Sequence, residues 1–288
     1  MEVERCRALL CAVGKGTITA AAEELGYTPS AISRMIAALE EELGFPLLLR
    51  GYRGIQPSKE GKMILPALRE LVFREEACRQ LAAKIRGAET GSVMIGTAYH
   101  EYYIRLAKIV RDFHAVSPAV EIKICNGYST ELLHNLQNRA LDLCIISRRE
   151  GNHTWVPIRR DPMVCWLPAG HPLSQLPAVP ISAFAEETCI ETYPDLDIDN
   201  KRVYQRCRVK PNICFSTMDS HATYAMVEAG LGISMNNAIN SAGREGTVQI
   251  LPLDPPQDVE IGVASLSDRS LAAKRFLAFM LPRLQDAN

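Results

Sequence analysis

The chain has 288 residues, of which 47% are hydrophobic, so it is too long for one ordinary domain and can bury a sizeable core. Its net charge of −1 gives no overall reason to expect a nucleic-acid partner, and no apolar run reaches the roughly 18 residues of a membrane span. The nine cysteines are scattered and form no Cys-x-x-Cys pair, which indicates reduced thiols. The N-terminus lacks the basic start of a secretory signal, so we expect a cytoplasmic protein.

The N-terminal segment predicts three short helices followed by a wing. Residues 3–13 form the first helix, Thr17 caps the second, and Gly26 ends it. Thr28 then caps a third helix, with Pro29 at the favoured first position. The segment LLLRGYRGIQPS that follows predicts two short strands joined by a glycine-bearing turn. Because a tight glycine turn joins the second and third helices, the sequence predicts a helix-turn-helix.

In a helix-turn-helix the second helix enters the major groove, with its N-terminal residues at the base edges. Arg34 can donate two hydrogen bonds to a guanine, and Ser30 and Ser33 can reach bases or phosphates. Arg50 and Arg53 on the wing suit contacts to the DNA backbone or minor groove. The alternative is a structural helical hairpin with solvated charges. The predicted DNA-binding residues are Thr17, Thr28, Pro29, Ser30, Ser33, Arg34, Arg50 and Arg53.

A long helix is predicted after the wing, from about residue 59 to residue 87, with Ser58 as its cap. Two interpretations of its apolar side remain open: it packs onto its own domain, or it pairs with a second copy of the chain. We favour a dimerisation helix, because little of the N-terminal chain remains to cover it. Its predicted apolar positions are Leu68, Leu71, Val72, Cys78, Leu81 and Ile85.

Residues 87–91 are predicted to form a hinge, after which strands alternate with helices to the C-terminus. The predicted strands include the apolar run MVCWLP at 163–168, and a helix is predicted at 219–229. This alternation is typical of parallel sheets covered by helices on both faces. In such sheets ligands bind at the carboxyl ends of strands and at helix N-termini. Two alternatives remain open: Ser129 as a plain helix cap, and the tyrosines as cover for the core. The predicted ligand-binding residues are Thr97, Tyr99, His100, Tyr128, Ser129, Thr130, Ser147, Tyr193, Thr217 and Met218.

The candidate ligand groups are mainly hydroxyls, and helix N-termini can hold a carboxylate, so a small organic acid is a plausible ligand. Arg148 and Arg149 could assist in binding it or could be solvated. Cys207, between Arg206 and Arg208, has the basic neighbours that a redox-sensing thiol needs. No catalytic motif, metal-ligand spacing or cofactor motif occurs, so we expect no enzyme, no metal and no cofactor.

The helix-turn-helix segment carries a set of specific short motifs. They are Ala21-Ala22, Ser30-Ala31-x-Ser33-Arg34, Leu39-Glu40, Leu43-Gly44-x-x-Leu47 and Arg50. With these motifs the segment resembles the DNA-binding domain of LysR-type transcriptional regulators. Pro29 stands where that family frequently has glutamine, and Pro57-Ser58 stands where it commonly has Leu-Thr. These departures bear on the operator sequence, not on DNA binding itself.

Segments 116–146, 170–173 and 226–234 resemble the effector domain of the same family, so the resemblance spans nearly the whole chain. It implies an α+β protein in three parts: a winged helix-turn-helix at 1–58, a linker helix at 59–87, and a periplasmic-binding-protein-like α/β effector domain at 88–288. It also implies two effector subdomains around a cleft, the first at about 91–163 plus 266–288 and the second at about 164–265.

The resemblance implies a sequence-specific DNA-binding transcription regulator that a small-molecule effector controls. Members of the LysR family form homodimers or homotetramers, and such a regulator can also contact RNA polymerase. Their effector contacts fall on the loop from Thr97 to His100, on Ser129 and Thr130, and near Thr217. We expect effector binding to close the cleft and rearrange the linker helices. An effector-independent architectural DNA-binding protein would leave the large α/β domain unexplained, and a solute-binding protein would not need the N-terminal hairpin.

Overall fold

The computed structural model describes residues 1–51, 54–86 and 90–285, and for Arg50 the backbone alone. The predicted wing residue Arg53 and most of the predicted hinge therefore lie outside the described residues. None of the described helices is long and apolar enough to cross a membrane.

The N-terminal part is a winged helix-turn-helix, as the sequence predicted. Its elements are α1 (Val3–Lys15), α2 (Ile18–Leu25), α3 (Pro29–Leu43), β1 (Leu48–Gly51) and β2 (Gly54–Pro57). The Thr17 hydroxyl accepts a hydrogen bond from the Ala20 N–H at 3.1 Å, and the Thr28 hydroxyl accepts one from the Ala31 N–H at 3.2 Å. Gly26, at φ 70°, turns the chain from α2 into α3. The two predicted caps are therefore present.

The wing is anchored to the helices by close backbone contacts. The Ile55 N–H donates to the Gly16 carbonyl oxygen at 2.9 Å, and a Cβ on Gly54 would lie 2.5 Å from the same oxygen. A Cβ on Gly61, in the helix after the wing, would overlap the Leu47 carbonyl oxygen. Glycine at these positions is what allows the wing to pack against the helices.

The linker helix α4 (Lys59–Ile85) divides its apolar side between two environments. Leu65 and Leu68 are buried in the N-terminal core, where α4 packs beside α1. Near its C-terminal end, Leu81 and Ile85 are 53% and 80% exposed. The first interpretation, packing onto the N-terminal domain, therefore holds for the first half of α4, and the second half presents exposed apolar side chains.

The linker helix also contacts the C-terminal part of the same chain. Arg139 forms an ion pair with Glu70, and its guanidinium lies 3.8 Å from the centre of the Phe73 ring. The buried Gln80 accepts a hydrogen bond from the Ala272 N–H at 3.2 Å. These contacts join α4 to the domain that follows it.

The C-terminal part is a mixed α/β fold. Its strands are β3 (Gly91–Thr97), β4 (Val120–Asn126), β5 (Leu143–Ser147), β6 (Thr154–Leu167), β7 (Val179–Pro180), β8 (Cys189–Thr192), β9 (Ile213–Thr217), β10 (Ser234–Asn237), β11 (Gln249–Asp254) and β12 (Asp258–Ser265). Its helices are α5 (Tyr102–Val116), α6 (Ser129–Gln137), α7 (Asp199–Cys207), α8 (Ser220–Glu228) and α9 (Leu271–Gln285).

The main sheet has the strand order β4-β3-β5-β12-β6-β11-β7, and β10 also pairs with β6. Strand β3 runs parallel to β4 and β5, whereas β10, β11 and β12 run antiparallel to β6. The prediction of parallel sheets is therefore wrong for the strands that pair with β6. Strand β6 begins at Thr154, before the apolar run at 163–168 from which the sequence predicted it. Its antiparallel pairing with β12 involves residues 154–162, which lie outside that run.

The C-terminal part has four buried apolar clusters, two in each of the halves that we call the first and second lobes. The first lobe comprises β3–β5, β12, α5, α6, α9 and the start of β6, and its core includes Ile95, Leu143 and Phe276. The second lobe comprises β7–β11, α7, α8 and the end of β6, and its core includes Cys165 and Val203. The sequence assigned β12 to the second subdomain, whereas this strand pairs with β5 and packs in the first lobe.

Candidate functional site

The N-terminal end of α3 presents polar side chains away from the core. Thr28, Pro29, Ser30 and Arg34 are exposed, and Ser33 is half-buried. The opposite face of α3 carries the apolar residues that pack in the N-terminal core. The Thr28 and Ser30 hydroxyl oxygens lie 3.0 Å apart at the start of the helix. This surface therefore offers hydroxyl groups and one guanidinium on a rigid helix end.

The other predicted DNA-binding residues lie in the neighbouring elements. Thr17 is exposed at the start of α2, where its hydroxyl serves as the helix cap. The backbone of Arg50 pairs with Ile55 in the wing. Arg53 lies outside the described residues. The DNA contacts of these three residues remain predictions.

A narrow cleft of about 60 Å³ lies between the two lobes. Its walls come from strand ends and helix N-termini, which is where the sequence analysis expected a ligand site. Lining residues include Tyr99, Tyr128, Ser129 and Arg149 from the first lobe, and Tyr193 and Asp199 from the second. The cleft thus collects four of the predicted residues.

The Asp199 carboxylate forms the centre of a buried polar cluster. It accepts hydrogen bonds from Arg149 at 2.9 Å, from the Ser147 hydroxyl at 2.6 Å, and from the Tyr99 hydroxyl at 3.0 Å. The Asn237 side-chain amide donates at 3.3 Å. Burial, with the nearby Asp199 charge, raises the pKa of Tyr99 well above its ordinary value, so this hydroxyl stays protonated as a donor.

Ser129 connects α6 to β5 instead of capping its own helix. It is the first residue of α6, and the cap position before it belongs to Tyr128. The Ser129 hydroxyl oxygen accepts from the Ser147 N–H at 3.1 Å and lies 3.0 Å from the Ser147 hydroxyl oxygen. The interpretation of Ser129 as a plain helix cap is therefore wrong.

The two consecutive arginines after β5 have different environments. The Arg149 side chain is 4% exposed, and it donates to Thr130 at 3.1 Å as well as to Asp199. The Arg148 side chain is 67% exposed and pairs with Glu260 at 3.0 Å. Arg149 is therefore part of the cleft, and Arg148 is largely solvated.

A second polar contact joins the lobes beside the first. The Thr130 hydroxyl donates to the Asp197 carboxylate at 2.8 Å. Hydrogen bonds from Arg202 hold the pKa of Asp197 down at about 2, so this carboxylate is charged at neutral pH. Thr130, a predicted effector residue, is therefore already bonded to the second lobe.

The remaining predicted effector residues do not line the cleft. The Thr97 hydroxyl is buried and bonded to the Tyr99 backbone. His100 is half-buried, Thr217 is half-buried at the end of β9, and Met218 is exposed. Their ligand contacts remain predictions.

Sequence reasoning missed several polar residues of the second lobe. The cleft is also lined by Asn200, Asn236 and Asn237. Asn236 and Asn237 directly follow an apolar strand segment, so the rule that ligands bind at strand ends could have found them. No local signal marks Asp199, because its partners Ser147 and Tyr99 lie 52 and 100 residues away along the chain.

All nine cysteines are free thiols. Burial raises the pKa values of Cys144 and Cys165 well above the ordinary thiol value, which disfavours the reactive thiolate. Cys207 is half-buried and packs against the core of the second lobe. Among residues 1–51, 54–86 and 90–285, no group of three or more His, Cys, Asp or Glu side chains could hold a metal ion.

Comparisons with known proteins agree with this architecture. Residues 3–62 match the family model described as bacterial regulatory helix-turn-helix protein, lysR family, and residues 86–285 match the LysR substrate binding domain. The uncharacterized HTH-type transcriptional regulator YvbU of Bacillus subtilis (strain 168) is 27% identical over 270 residues, which is 91% of each chain. The chain therefore belongs to the LysR family: it is a DNA-binding transcriptional regulator with an effector-binding domain.

Solved structures share the fold at lower identity. Full-length OxyR C199D from Pseudomonas aeruginosa has a TM-score of 0.72 and 18% identity, with 99% of this chain and 95% of that chain covered. The effector binding domain of QuiR in complex with shikimate has a TM-score of 0.60 and 21% identity, with 69% of this chain and 99% of that chain covered. The similarity to OxyR covers nearly the full length of both chains, so the two proteins share the whole fold.

Proposed function

We propose that α3 reads operator DNA through the side chains at its N-terminal end. The observation that supports this proposal is the exposure of Ser30 and Arg34 on a helix whose opposite face is fixed in the core. A guanidinium on a rigid helix can donate two hydrogen bonds to guanine in the major groove. Thr28, Pro29 and Ser33 lie beside these residues, and Thr17 and the wing residues would contact the DNA backbone.

The cleft between the lobes is, in this proposal, the effector site. What supports it is the convergence of buried donors from strand ends of both lobes on one point, at Asp199. A ligand held by both lobes changes their relative position only if it binds one arrangement better than another. Through α4, which contacts both the N-terminal part and the first lobe, that change would reach the DNA-binding helices.

The effector we propose is a small organic acid. Hydroxyl groups and a buried guanidinium form charge-assisted hydrogen bonds with a carboxylate, and the start of α6 offers backbone N–H groups. The related QuiR domain was solved with shikimate, which carries a carboxylate. Tyr99, Ser147 and Arg149 are the side chains that we expect to hold this group, together with Ser129, which is hydrogen-bonded to Ser147.

The assembly that we propose is a homodimer through the exposed apolar side chains near the C-terminal end of α4, and two such dimers would form a homotetramer. RNA polymerase is a further proposed partner. We propose no catalytic activity for the chain, and as a transcription regulator it would act in the cytoplasm, where bacterial DNA lies.

The experiment that tests the effector site is a melting-temperature screen of the full chain against small organic acids, aromatics, amino acids and sugars. A ligand that binds only the folded state, present at about 100 times its Kd, stabilises by about 2.7 kcal/mol. We expect an organic acid to raise the melting temperature of the wild type and of Ser182→Ala, an exposed control serine. The shift should be lost in Ser129→Ala.

The same ligand should change the affinity of the chain for its operator. A shift that persists in Ser129→Ala would place the ligand outside the cleft. A screen in which no compound class changes the melting temperature or operator binding would favour an effector-independent DNA-binding protein.

A further inference from the structure

The donors of the first lobe are already saturated by a carboxylate that belongs to the protein. Tyr99, Ser147 and Arg149 all lie on first-lobe segments and all donate to Asp199, which is the first residue of α7 in the second lobe. The Asp199 side chain is 8% exposed. The contact therefore closes the cleft and leaves it only about 60 Å³ of space.

The three donors form a subsite suited to a carboxylate. A buried guanidinium needs a partner of opposite charge, because its desolvation is costly when it is unpaired. Two hydroxyl groups complete the set from other directions, at 2.6 and 3.0 Å from the carboxylate oxygens. An incoming anion can use this subsite only by replacing Asp199, because one guanidinium cannot neutralise two buried carboxylates.

We propose that Asp199 is an internal ligand of the cleft and that an anionic effector displaces it. This inference rests on the proposed function, because it concerns the same cleft. The carboxylate of the effector takes the place of Asp199 on Tyr99, Ser147 and Arg149, and α7 is released from the first lobe. Effector binding then opens a closed contact between the lobes, the reverse of the closure that the sequence suggested.

The internal ligand also sets which molecules the cleft accepts. A neutral sugar cannot compensate the Arg149 charge once Asp199 has moved away, and an ammonium group would be repelled by that charge. A monocarboxylate restores the charge balance. Asp199 is therefore a specificity-determining residue that selects for anions. It also sets the concentration at which they bind, because the subsite can bind an anion only in the fraction of molecules whose Asp199 has left it.

The test uses acetate, which has the size and charge of the aspartate side chain. In full-length Asp199→Gly the subsite is unoccupied by the protein, and the Arg149 charge lacks its partner. We expect acetate to bind this variant with a Kd at least about tenfold lower than for the wild type, measured by calorimetry. Acetate should also raise the melting temperature of the variant, whereas neutral acetamide should not.

Two controls locate the effect at the subsite. Asp195→Gly changes an exposed aspartate of the same segment whose φ of 63° suits glycine, and it should bind acetate as weakly as the wild type does. The double variant Asp199→Gly/Arg149→Gln should lose the tenfold gain in acetate affinity. A gain that survives in the double variant would overturn the proposal, because acetate would then bind elsewhere.

A second variant keeps the test valid if Asp199→Gly does not fold. Asn237 lies on the second lobe and its side-chain amide donates to Asp199 at 3.3 Å, so Asn237→Ala weakens the internal ligand and leaves the first-lobe donors intact. We expect it to bind acetate several-fold more tightly than the wild type. Acetate affinity equal to that of the wild type in the folded variants would overturn the displacement of Asp199.

The proposal that the cleft is the effector site and the proposal that Asp199 is an internal ligand can be contradicted independently. A gain in acetate affinity in the variants, without any effect on operator binding, would support the internal ligand and contradict the effector role of the cleft. An organic acid that acts through Ser129, with no acetate gain in the Asp199 and Asn237 variants, would support the effector role and overturn the internal ligand.

Discussion

Gly61 is a point of close contact between the linker helix and the backbone at the start of the wing. A Cβ at this position overlaps the Leu47 carbonyl oxygen, which is backbone and cannot move aside cheaply. We predict that Gly61→Ala lowers the free energy of unfolding by about 1–3 kcal/mol, the usual range for overpacking. Thermal melting followed by circular dichroism measures the change.

Gly14→Ala is the matched control for that substitution. Gly14 lies inside α1, and a Cβ there meets no atom within 4 Å. Alanine in a helix is favoured over glycine by up to about 1 kcal/mol, so this variant should melt at the same temperature as the wild type or higher. Equal melting of the two alanine variants would contradict the proposed packing of α4 on the wing.

The site residues whose roles could be predicted from the sequence are those whose partners lie close by along the chain. The capping roles of Thr17 and Thr28 depend on atoms three residues away, and the structure confirms both. The role of Asp199 depends on partners far along the chain, so no sequence pattern revealed it. Ser129 shows the intermediate case, because its position at a helix start was predicted and its hydrogen bonds to β5 were not.

At the scale of elements, Gln80 joins the linker helix to the last helix. Its side-chain carbonyl accepts from the Ala272 N–H at the start of α9, and both residues are buried. Gln80→Ala leaves this N–H without a partner, which costs about 1–3 kcal/mol. We predict a lower melting temperature and faster amide hydrogen exchange at the start of α9.

The control for Gln80 is Gln205→Ala, on the exposed face of α7. It removes the same side chain from a helix without uncovering a buried donor, so it should leave both measurements unchanged. If the two variants melt alike, the contact between α4 and α9 does not contribute to stability.

Helices with strong periodicity were predicted to within a few residues, and the pairing of the strands was not. The helices α2, α3 and α8 carry both periodic apolar residues and recognisable ends, so their positions follow from local rules. Strand β6 contains two prolines and three charged residues before Met163, and the sequence predicted only the apolar run that begins there. Its antiparallel partners are long-range contacts that hydrophobic alternation does not encode.

For the whole molecule, the exposed end of α4 makes self-association a testable expectation. Leu81 and Ile85 are the large apolar side chains there, and burying them in a second copy would remove them from water. We predict that Leu81→Asp shifts the chain from dimer to monomer in analytical ultracentrifugation. Leu176→Asp, at an exposed position in the second lobe, should leave the mass unchanged. A Leu81→Asp variant with the mass of the wild type would exclude this surface as the dimer contact.

The measurement that tests the account most directly is an affinity titration on operator DNA selected from random duplexes by the full chain. Losing a two-bond contact to guanine costs about 1–3 kcal/mol, so Arg34→Ala should bind the selected operator about tenfold or more weakly. Lys210→Ala, an exposed basic residue in the second lobe, should bind it as the wild type does. If Arg34→Ala binds the operator with wild-type affinity and base preference, α3 does not read the DNA as proposed.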